Sequence, residues 1–401
     1  MSYEKPYAGL RVLEISQGYA GPYCAMMLAQ YGAEVIKIEP PGGDWMRIIG
    51  KKAGDHTAHS IIANIGKKSL ALNLKSPEGR EIAQKLAADC AVLVEAARPG
   101  VAERLGLSYD QVRETNPGVV YMSVSGFGQE GPYADRPCTD SVIQSFSGLM
   151  SVNLGIDDAM PHRVGCLVVD HLTGVYAFQA VAAALYARRD NAEGTFLDIS
   201  LMNSMASMLA PKIAEHHLEE GKPRVLNAPT GSYQTKDGWI AVALVKEEQW
   251  PRFCNAIGQP KYADDPRFVD FEARAQHLDV LTPMVRNALA ARTSDDWSQR
   301  LREADVLYNR INDFGEWLAD EQVVAAGAAP MINQPHAGPA PIVHIPGTAR
   351  LQDGTAESKA PAIGADSRQV LLDLGYDEAT IAALADKGVT KLADDAADPA
   401  A

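Results

Sequence analysis

Residues that would mark a metal centre or a disulfide scaffold are scarce in this chain. The five cysteines (Cys24, Cys90, Cys138, Cys166, Cys254) are scattered, odd in number and never paired as C-x-x-C, which argues against a disulfide framework or a zinc site. The nine histidines form no H-E-x-x-H pattern, and the pairs His56/His59 and His216/His217 read as surface or loop residues, so no metal is expected. No P-loop and no G-x-G-x-x-G occurs, so phosphate binding of the ATP or NAD kind lacks its usual support. No apolar run approaches the roughly 18 residues of a membrane span. Met1-Ser-Tyr-Glu-Lys-Pro lacks the basic and apolar regions of a signal peptide, so a cytoplasmic protein without a membrane partner is expected. Positive charge is short as well. The net charge of −14 disfavours nucleic acid as a partner. The first 110 residues nevertheless hold 13 Lys/Arg against 12 Asp/Glu, so an anion site is best sought there, near Lys51, Lys52, Lys67, Lys68, Lys75, Arg98 and Arg104.

What is present is enough for a large core. Hydrophobic residues make up 46 % and charged residues 22 % of 401, a globular composition with room for two or three domains. Up to about residue 200, short β-rich runs alternate with helical patterns, which suggests a parallel, doubly wound α/β domain. Leu10–Ile15, Val35–Ile38, Ala91–Val94, Val119–Val124 and Leu197–Leu201 read as strands, and Leu70, Leu72 and Leu74 alternate as on a half-buried one. Ser76-Pro77 places an N-cap and an N1 proline before a helix to Asp89. Gln17-Gly-Tyr-Ala-Gly-Pro22 follows the first strand, where crevice loops of such sheets lie. A turn-rich stretch at Asn227–Gly231 opens a second, smaller α+β region, with a strand at Trp239–Leu244 and amphipathic segments at 247–257, 278–292 and 295–303. Further on, Ile342–Ile345 reads as a strand and 366–374 and 377–386 as short helices.

One segment combines structure with chemistry. In Arg163-Val-Gly-Cys-Leu-Val-Val-Asp170 an apolar run ends in a carboxylate, and Val175, Phe178, Ala182 and Leu185 then recur at helical spacing. An Asp between an apolar strand and a helix is commonly an N-cap. The positive end of the helix and its free amides also favour an ionised carboxylate, and a partly desolvated one can act as a nucleophile. Residue types alone leave both readings open.

An ordered series of motifs bears on the choice. It includes Leu10-Arg-Val-Leu-Glu14, Gly32-Ala-Glu-Val-Ile-Lys-Ile-Glu-Pro40, Lys68-Ser-Leu-Ala-Leu-Asn-Leu-Lys75 and Arg98-Pro-Gly-Val-Ala-Glu-Arg-Leu-Gly106. It continues with Ser125-Gly-Phe-Gly-Gln-Glu-Gly-Pro-Tyr133, Asp265-Pro-Arg-Phe268 and Ala360-Pro-Ala-Ile-Gly364. Over essentially the whole chain it resembles the family III CoA-transferases, which include the α-methylacyl-CoA racemases.

The resemblance implies a Rossmann-like large domain with an inserted smaller α+β domain, and two chains interlocked as rings in an obligate homodimer. It places the N-terminal part of the CoA-binding domain at 1–200, a linker at 201–226 and the small domain at 227–325. A return linker with the C-terminal part of the large domain follows at 326–390, and a flexible tail at 391–401. The active site is expected between the large domain of one subunit and the small domain of the other. Coenzyme A and its acyl thioesters enter as substrates, with a small carboxylic acid as acceptor and no permanently bound cofactor. The nucleophilic aspartate falls on Asp170, with Asp140 as an orienting residue. CoA contacts fall on Tyr19, Ala20, Leu72, Asn73, Leu74, Lys75, Ala96, Ala97, Arg98 and Arg104. Many members carry Asn-Phe where this chain has Ala96-Ala97, so that loop meets CoA differently.

Two departures narrow the reaction. The racemase branch has a His where this chain has Thr139, in Cys138-Thr139-Asp140, and Thr is no base at neutral pH. The glycine run of the formyl-CoA:oxalate branch is absent after Asn227, which points toward carnitine-, bile-acid- or dicarboxylate-type transfer. A racemase or epimerase of α-branched acyl-CoA and a non-catalytic acyl-CoA-binding protein stand as alternatives.

Overall fold

Six strands carry the larger part of the molecule: β1 (Arg11–Glu14), β2 (Glu34–Glu39), β3 (Lys68–Leu72), β4 (Val92–Glu95), β5 (Val120–Ser125) and β6 (Thr195–Ser200). In this computed structural model, which describes residues 5–153, 160–221 and 227–393, they pair in parallel in the order β3-β2-β1-β4-β5-β6. That is the order of doubly wound dinucleotide-binding folds. A two-residue strand, Thr390–Lys391, adds antiparallel to β3; it is too short to show as a period in the sequence. Strands of such a sheet are covered on both faces and read as continuous apolar runs. β3 is accordingly buried from Ser69 to Leu72 rather than half-buried, and Leu74 lies beyond its end.

The crossover helices follow from local signals. Helix α1 (Ala20–Gln30) is apolar on all sides and buried at every residue. Helix α2 (Pro77–Ala87) starts as Ser76-Pro77 predicts, with the Ser76 hydroxyl accepting from Gly79 N at 3.0 Å, and turns Ile82, Ala83 and Leu86 to the sheet. Helix α3 (Asp140–Phe146) and the 20-residue helix α4 (Val168–Ala187) complete the framework of the site. Val169, Ala177 and Val181 of α4 share a core with Cys24 and Leu28 of α1. Gly174 permits this approach, because a Cβ there would stand 2.9 Å from Ala20 O and 3.0 Å from the Tyr23 ring.

Among the described residues, α4 is the one helix long and apolar enough by length and composition to cross a membrane. This corrects the expectation that no apolar segment reaches that length. Asp170, His171, Thr173 and Gln179 break the run, so a search for unbroken apolar residues passes over it, whereas its Ala-rich average does not. The segment before it is corrected too. Residues 165–167 form no strand, and the helix starts two residues ahead of Asp170.

Contacts divide the chain into two units, Met1–Ala210 with Gly327–Ala401 and Pro211–Ala326. The helix Leu201–Met208 buries Leu201 and Met205 in the core of the first. The second has an antiparallel sheet of Gly231–Gln234, Trp239–Ala243 and Leu307–Arg310, with a core that includes Trp250, Phe253, Leu281 and Trp297. The strand expected at Ile342–Ile345 lies earlier, in a hairpin of Met331–Gln334 with Gly338–Pro341. Pro339 and Pro341 face Asn333 and Met331, while Ile342 N bonds to Pro330 O, so the prolines occupy positions that need no donor. Residues 222–226 of the expected linker, and 394–401 of the expected tail, lie outside the described residues.

Candidate active site

Strand order reverses between β1 and β4, and a crevice forms beyond the carboxyl ends of strands at such a point. Two adjoining clefts occupy it, both within the first unit. The first, about 260 Å³, is walled by Gln17–Gly21 after β1, Ala96–Pro99 after β4 and Ser125–Gly126 after β5, together with Cys138, Thr139 and Asp170. The second, about 300 Å³, lies over the ends of β1 to β4 and is lined by Ile15, Ile38, Leu72–Lys75 and Glu95 among others. Gln17 and Ala97 belong to both.

The residues named from the sequence therefore divide. Tyr19, Ala20, Ala96, Ala97 and Arg98 surround Asp170, and Leu72, Asn73, Leu74 and Lys75 line the second cleft with Ala97. Arg104 lines neither. Its helix, Val101–Leu105, sends Val101, Ala102 and Leu105 into the second cleft, and its guanidinium lies near Gly100. Part of the positive charge counted from the sequence is already engaged. Lys67 is buried 2.6 Å from Glu14, and Lys68 is paired with Glu34.

The loop after β1 is held from beneath by a buried ionic cluster. Lys37 Nζ lies 2.9 Å from Glu14, 3.0 Å from Asp44 and 3.0 Å from Ser16 O. Lys67 Nζ also donates to Pro22 O at 2.8 Å, and the Asp44 carboxylate accepts from Gly18 N at 3.1 Å. Burial alone would raise Glu14, but Lys37 and Lys67 outweigh it and hold its carboxyl below the ordinary range. Gly18 sits at φ +86°, and a Cβ there would reach within 2.7 Å of the Trp45 ring, so only glycine turns the chain here. The turn delivers Tyr19 onto Tyr23, with ring centroids 5.4 Å apart. At the end of β4, Glu95 accepts from Ala97 N at 2.7 Å and from the Ser123 hydroxyl, which fixes the Ala96–Arg98 loop; burial raises its pKa.

Asp170 is the third residue of α4 and not its cap. The cap is Asp140. Its buried carboxylate accepts from Val169 N at 2.8 Å and Asp170 N at 3.2 Å, and its other oxygen accepts from Gln144 Nε2 at 2.7 Å. Gln144 in turn accepts from Val164 N at 2.8 Å, which ties the chain before α4 to the same point. The amides expected to favour an ionised Asp170 are thus taken by a neighbouring carboxylate. Asp170 is enclosed by protein except toward the first cleft, and its carboxyl is pushed up to about 7, first by burial and then by the charge of Asp140. The Cys138 thiol in the same cleft is pushed up to about 11, chiefly by burial and then by Asp170, so it stays protonated at neutral pH.

A stability prediction follows. The folded state raises the Asp170 pKa from an ordinary 3.8 to about 7, so this group's stabilising share is fully present below pH 4 and is lost as pH rises through 7. Above that, ionisation costs the fold roughly 2–4 kcal/mol, allowing for the side open to solvent. Asp170→Asn removes the cost. In thermal melts the variant should exceed the wild type at about pH 8.5 and match it near pH 4.

Sequence reading passed over Gln144, Glu95 and Arg136, all of which line or support the clefts, whereas Gln17 lies where the loop after the first strand was expected to line a crevice. The i,i+4 spacing of Asp140 and Gln144 carried a signal; the other two are near the site only through the fold.

A parallel sheet with a carboxylate in its switch-point cleft defines a class of ligand-binding α/β proteins, and comparison with known proteins makes the assignment. The chain belongs to CoA-transferase family III, whose sequence profile matches residues 7–367. It is 31 % identical over 395 residues to a succinyl-CoA–D-citramalate CoA-transferase of Chloroflexus aurantiacus, covering 96 % of this chain and 98 % of that one. It is 29 % identical over 394 residues to an (R)-2-hydroxy-4-methylpentanoate CoA-transferase of Clostridioides difficile, covering 96 % and 99 %. A crystal structure of a CaiB/BaiF family protein from Brucella suis superposes with a TM-score of 0.81 at 28 % identity, over 92 % of this chain and all of the other.

Proposed function

We propose that the protein moves CoA from an acyl-CoA donor to a free carboxylic acid through covalent intermediates on Asp170. The observation that carries this reading is a half-buried carboxylate, raised in pKa, lining a cleft that continues into the crevice over β1 to β4. The nucleotide of CoA occupies the second cleft, with Lys75 near its phosphates and Arg98 reached from the first cleft beside the shared Ala97. The thioester passes Gln17 and Ala97 into the first. Ionised Asp170 attacks the thioester carbonyl, giving a mixed anhydride and CoA thiolate. The thiolate attacks the aspartyl carbonyl and releases the donor acid, leaving an aspartyl-CoA thioester. An acceptor carboxylate attacks that carbonyl and expels the thiolate. The thiolate then takes the acceptor's acyl group and restores Asp170. Each step exchanges one activated acyl bond for another, so no nucleotide hydrolysis and no resident cofactor are required. Both intermediates hydrolyse in water, so the bound acyl-CoA must cover the open side of Asp170 during the reaction.

Racemisation would need an imidazole beside the α-carbon. Thr139 stands at the expected position, and His171 rests on Tyr23 at 4.3 Å and lines a neighbouring cavity with His59. The transfer reading is tested by mass spectrometry of the products formed from succinyl-CoA or acetyl-CoA with a panel of carboxylic acids. New thioesters should appear only when an acceptor is added. Exchange of the α-proton with deuterated water in the absence of an acceptor would instead favour racemisation.

The same reading includes a cytoplasmic homodimer. Apolar surface that a single chain leaves uncovered supports the dimer: Tyr186 is 70 %, Leu218 79 % and Phe314 89 % exposed. Sedimentation equilibrium should return twice the chain mass; a monomer at micromolar concentration would refute it.

A further inference from the structure

The two clefts give the bound thioester a direction. The second lies over β3, β2, β1 and β4, and the first extends from β1 and β4 toward β5. With the nucleotide in the second cleft and the thioester carbonyl at Asp170, an acyl chain continues toward the β5 side. That placement of CoA rests on the function proposed above.

Arg136 stands on that side, in the connection from β5 to α3, exposed at the rim of the cleft that holds Asp170. Its guanidinium lies over the rings of Phe127 and Tyr133, at 5.5 and 5.2 Å from their centroids. Among the described residues no carboxylate pairs with it, in a chain with 51 acidic residues where Arg11, Arg47 and Arg368 of the same unit are each paired with one. Asp170 does not neutralise it either. Both charges act on the Cys138 thiol from the same cleft, yet Asp170 and Arg136 form no ion pair. A guanidinium on an aromatic platform is weakly hydrated and orientated, and its planar fork matches a carboxylate in a bidentate pair. An acyl chain ending in a methyl group would offer it nothing.

We infer that Arg136 receives the far carboxylate of a dicarboxylic acyl group, which makes CoA esters of dicarboxylic acids the preferred substrates of this site. Arg98 lines the same cleft, also with no ion pair among the described residues, but it follows β4, next to the Ala97 wall shared with the second cleft, on the side of the nucleotide.

The test uses two CoA thioethers that Asp170 cannot cleave, S-(3-carboxypropyl)-CoA and S-butyl-CoA, which match in length and differ in the terminal group. Calorimetry with the full-length wild type should show the carboxylate compound binding about 10- to 100-fold more tightly, as expected for a charged hydrogen-bonded pair. Arg136→Gln should collapse that ratio to within about threefold, and Arg136→Lys should keep part of it. Equal affinity of the two compounds for the wild type would overturn the inference. So would an equal loss of affinity for both in Arg136→Gln, since that is the mark of a contact to CoA itself. Failure of both compounds to bind the wild type would overturn the CoA placement and the inference with it.

Discussion

Asp170→Asn is expected to lower kcat for CoA transfer by at least about 10⁴-fold, because loss of a covalent nucleophile removes the reaction path and not merely a contact. The variant keeps the shape of the side chain, and α4 remains capped from Asp140, so the fold should be retained and, above neutral pH, stabilised. The wild-type pH profile carries the same information. On the proposed mechanism the reactive form is the carboxylate, and burial with the Asp140 charge raises this group to about 7. kcat/KM should therefore be level above pH 7 and fall about tenfold per unit below it. On the proposed mechanism this titration would act as an activity switch with a physical origin, because burial raises the carboxyl to about 7 and leaves about half of it ionised at neutrality.

Asp140 carries the second large effect, through position and charge together. Asp140→Ala leaves the Val169 and Asp170 amides without their acceptor inside the protein and removes the shortest hydrogen bond of Gln144 Nε2, which keeps the Val164 and Cys166 carbonyls at 3.3 Å, a loss of about 2–4 kcal/mol. The first turn of α4 then loosens, and Asp170 with it. Activity should drop by about 10- to 100-fold, since a misplaced reacting group loses rate steeply. Asp140→Asn separates the two roles. Its carbonyl oxygen can still cap α4, but its amide meets the Gln144 amide donor-to-donor, while Gln144 Oε1 is held by Val164 N. The cost is smaller, about 1–2 kcal/mol. With the negative charge gone, the Asp170 pKa falls, and the acid limb of kcat/KM moves to lower pH. Burial, the larger cause, keeps it above an ordinary aspartate. Urea melts measure the stability change and a pH–rate profile the charge. An unmoved limb in Asp140→Asn would show that Asp140 acts only as a cap.

These two aspartates show how far the chain could be read before its structure. The strands, the Ser76 cap and the helix after Asp170 depend on neighbours a few residues away, so period and capping chemistry reveal them. The role of Asp170 within its helix does not. A carboxylate after an apolar run fits a cap as well as a nucleophile, while the actual cap arrives from 29 residues upstream and is set by the packing of α3 against α4. Lys67 counted as available charge until Glu14, 53 positions away, was found to be its partner. Arg136 was silent for the opposite reason: nothing about an arginine before a proline in a turn tells that the fold leaves it unpaired in a cleft. Resemblance singled out Asp170 by position; the structure adds the burial and the neighbouring Asp140 charge that raise its pKa.

The covalent step is the central claim, and trapping tests it most directly. Protein is incubated with succinyl-CoA and no acceptor, quenched with hydroxylamine, digested and sequenced by mass spectrometry. An activated aspartyl carbonyl, as anhydride or thioester, becomes a hydroxamate. The account predicts a hydroxamate at Asp170 that requires the acyl-CoA and is missing in Asp170→Asn. An unmodified Asp170 in protein that is turning over the same donor would contradict it.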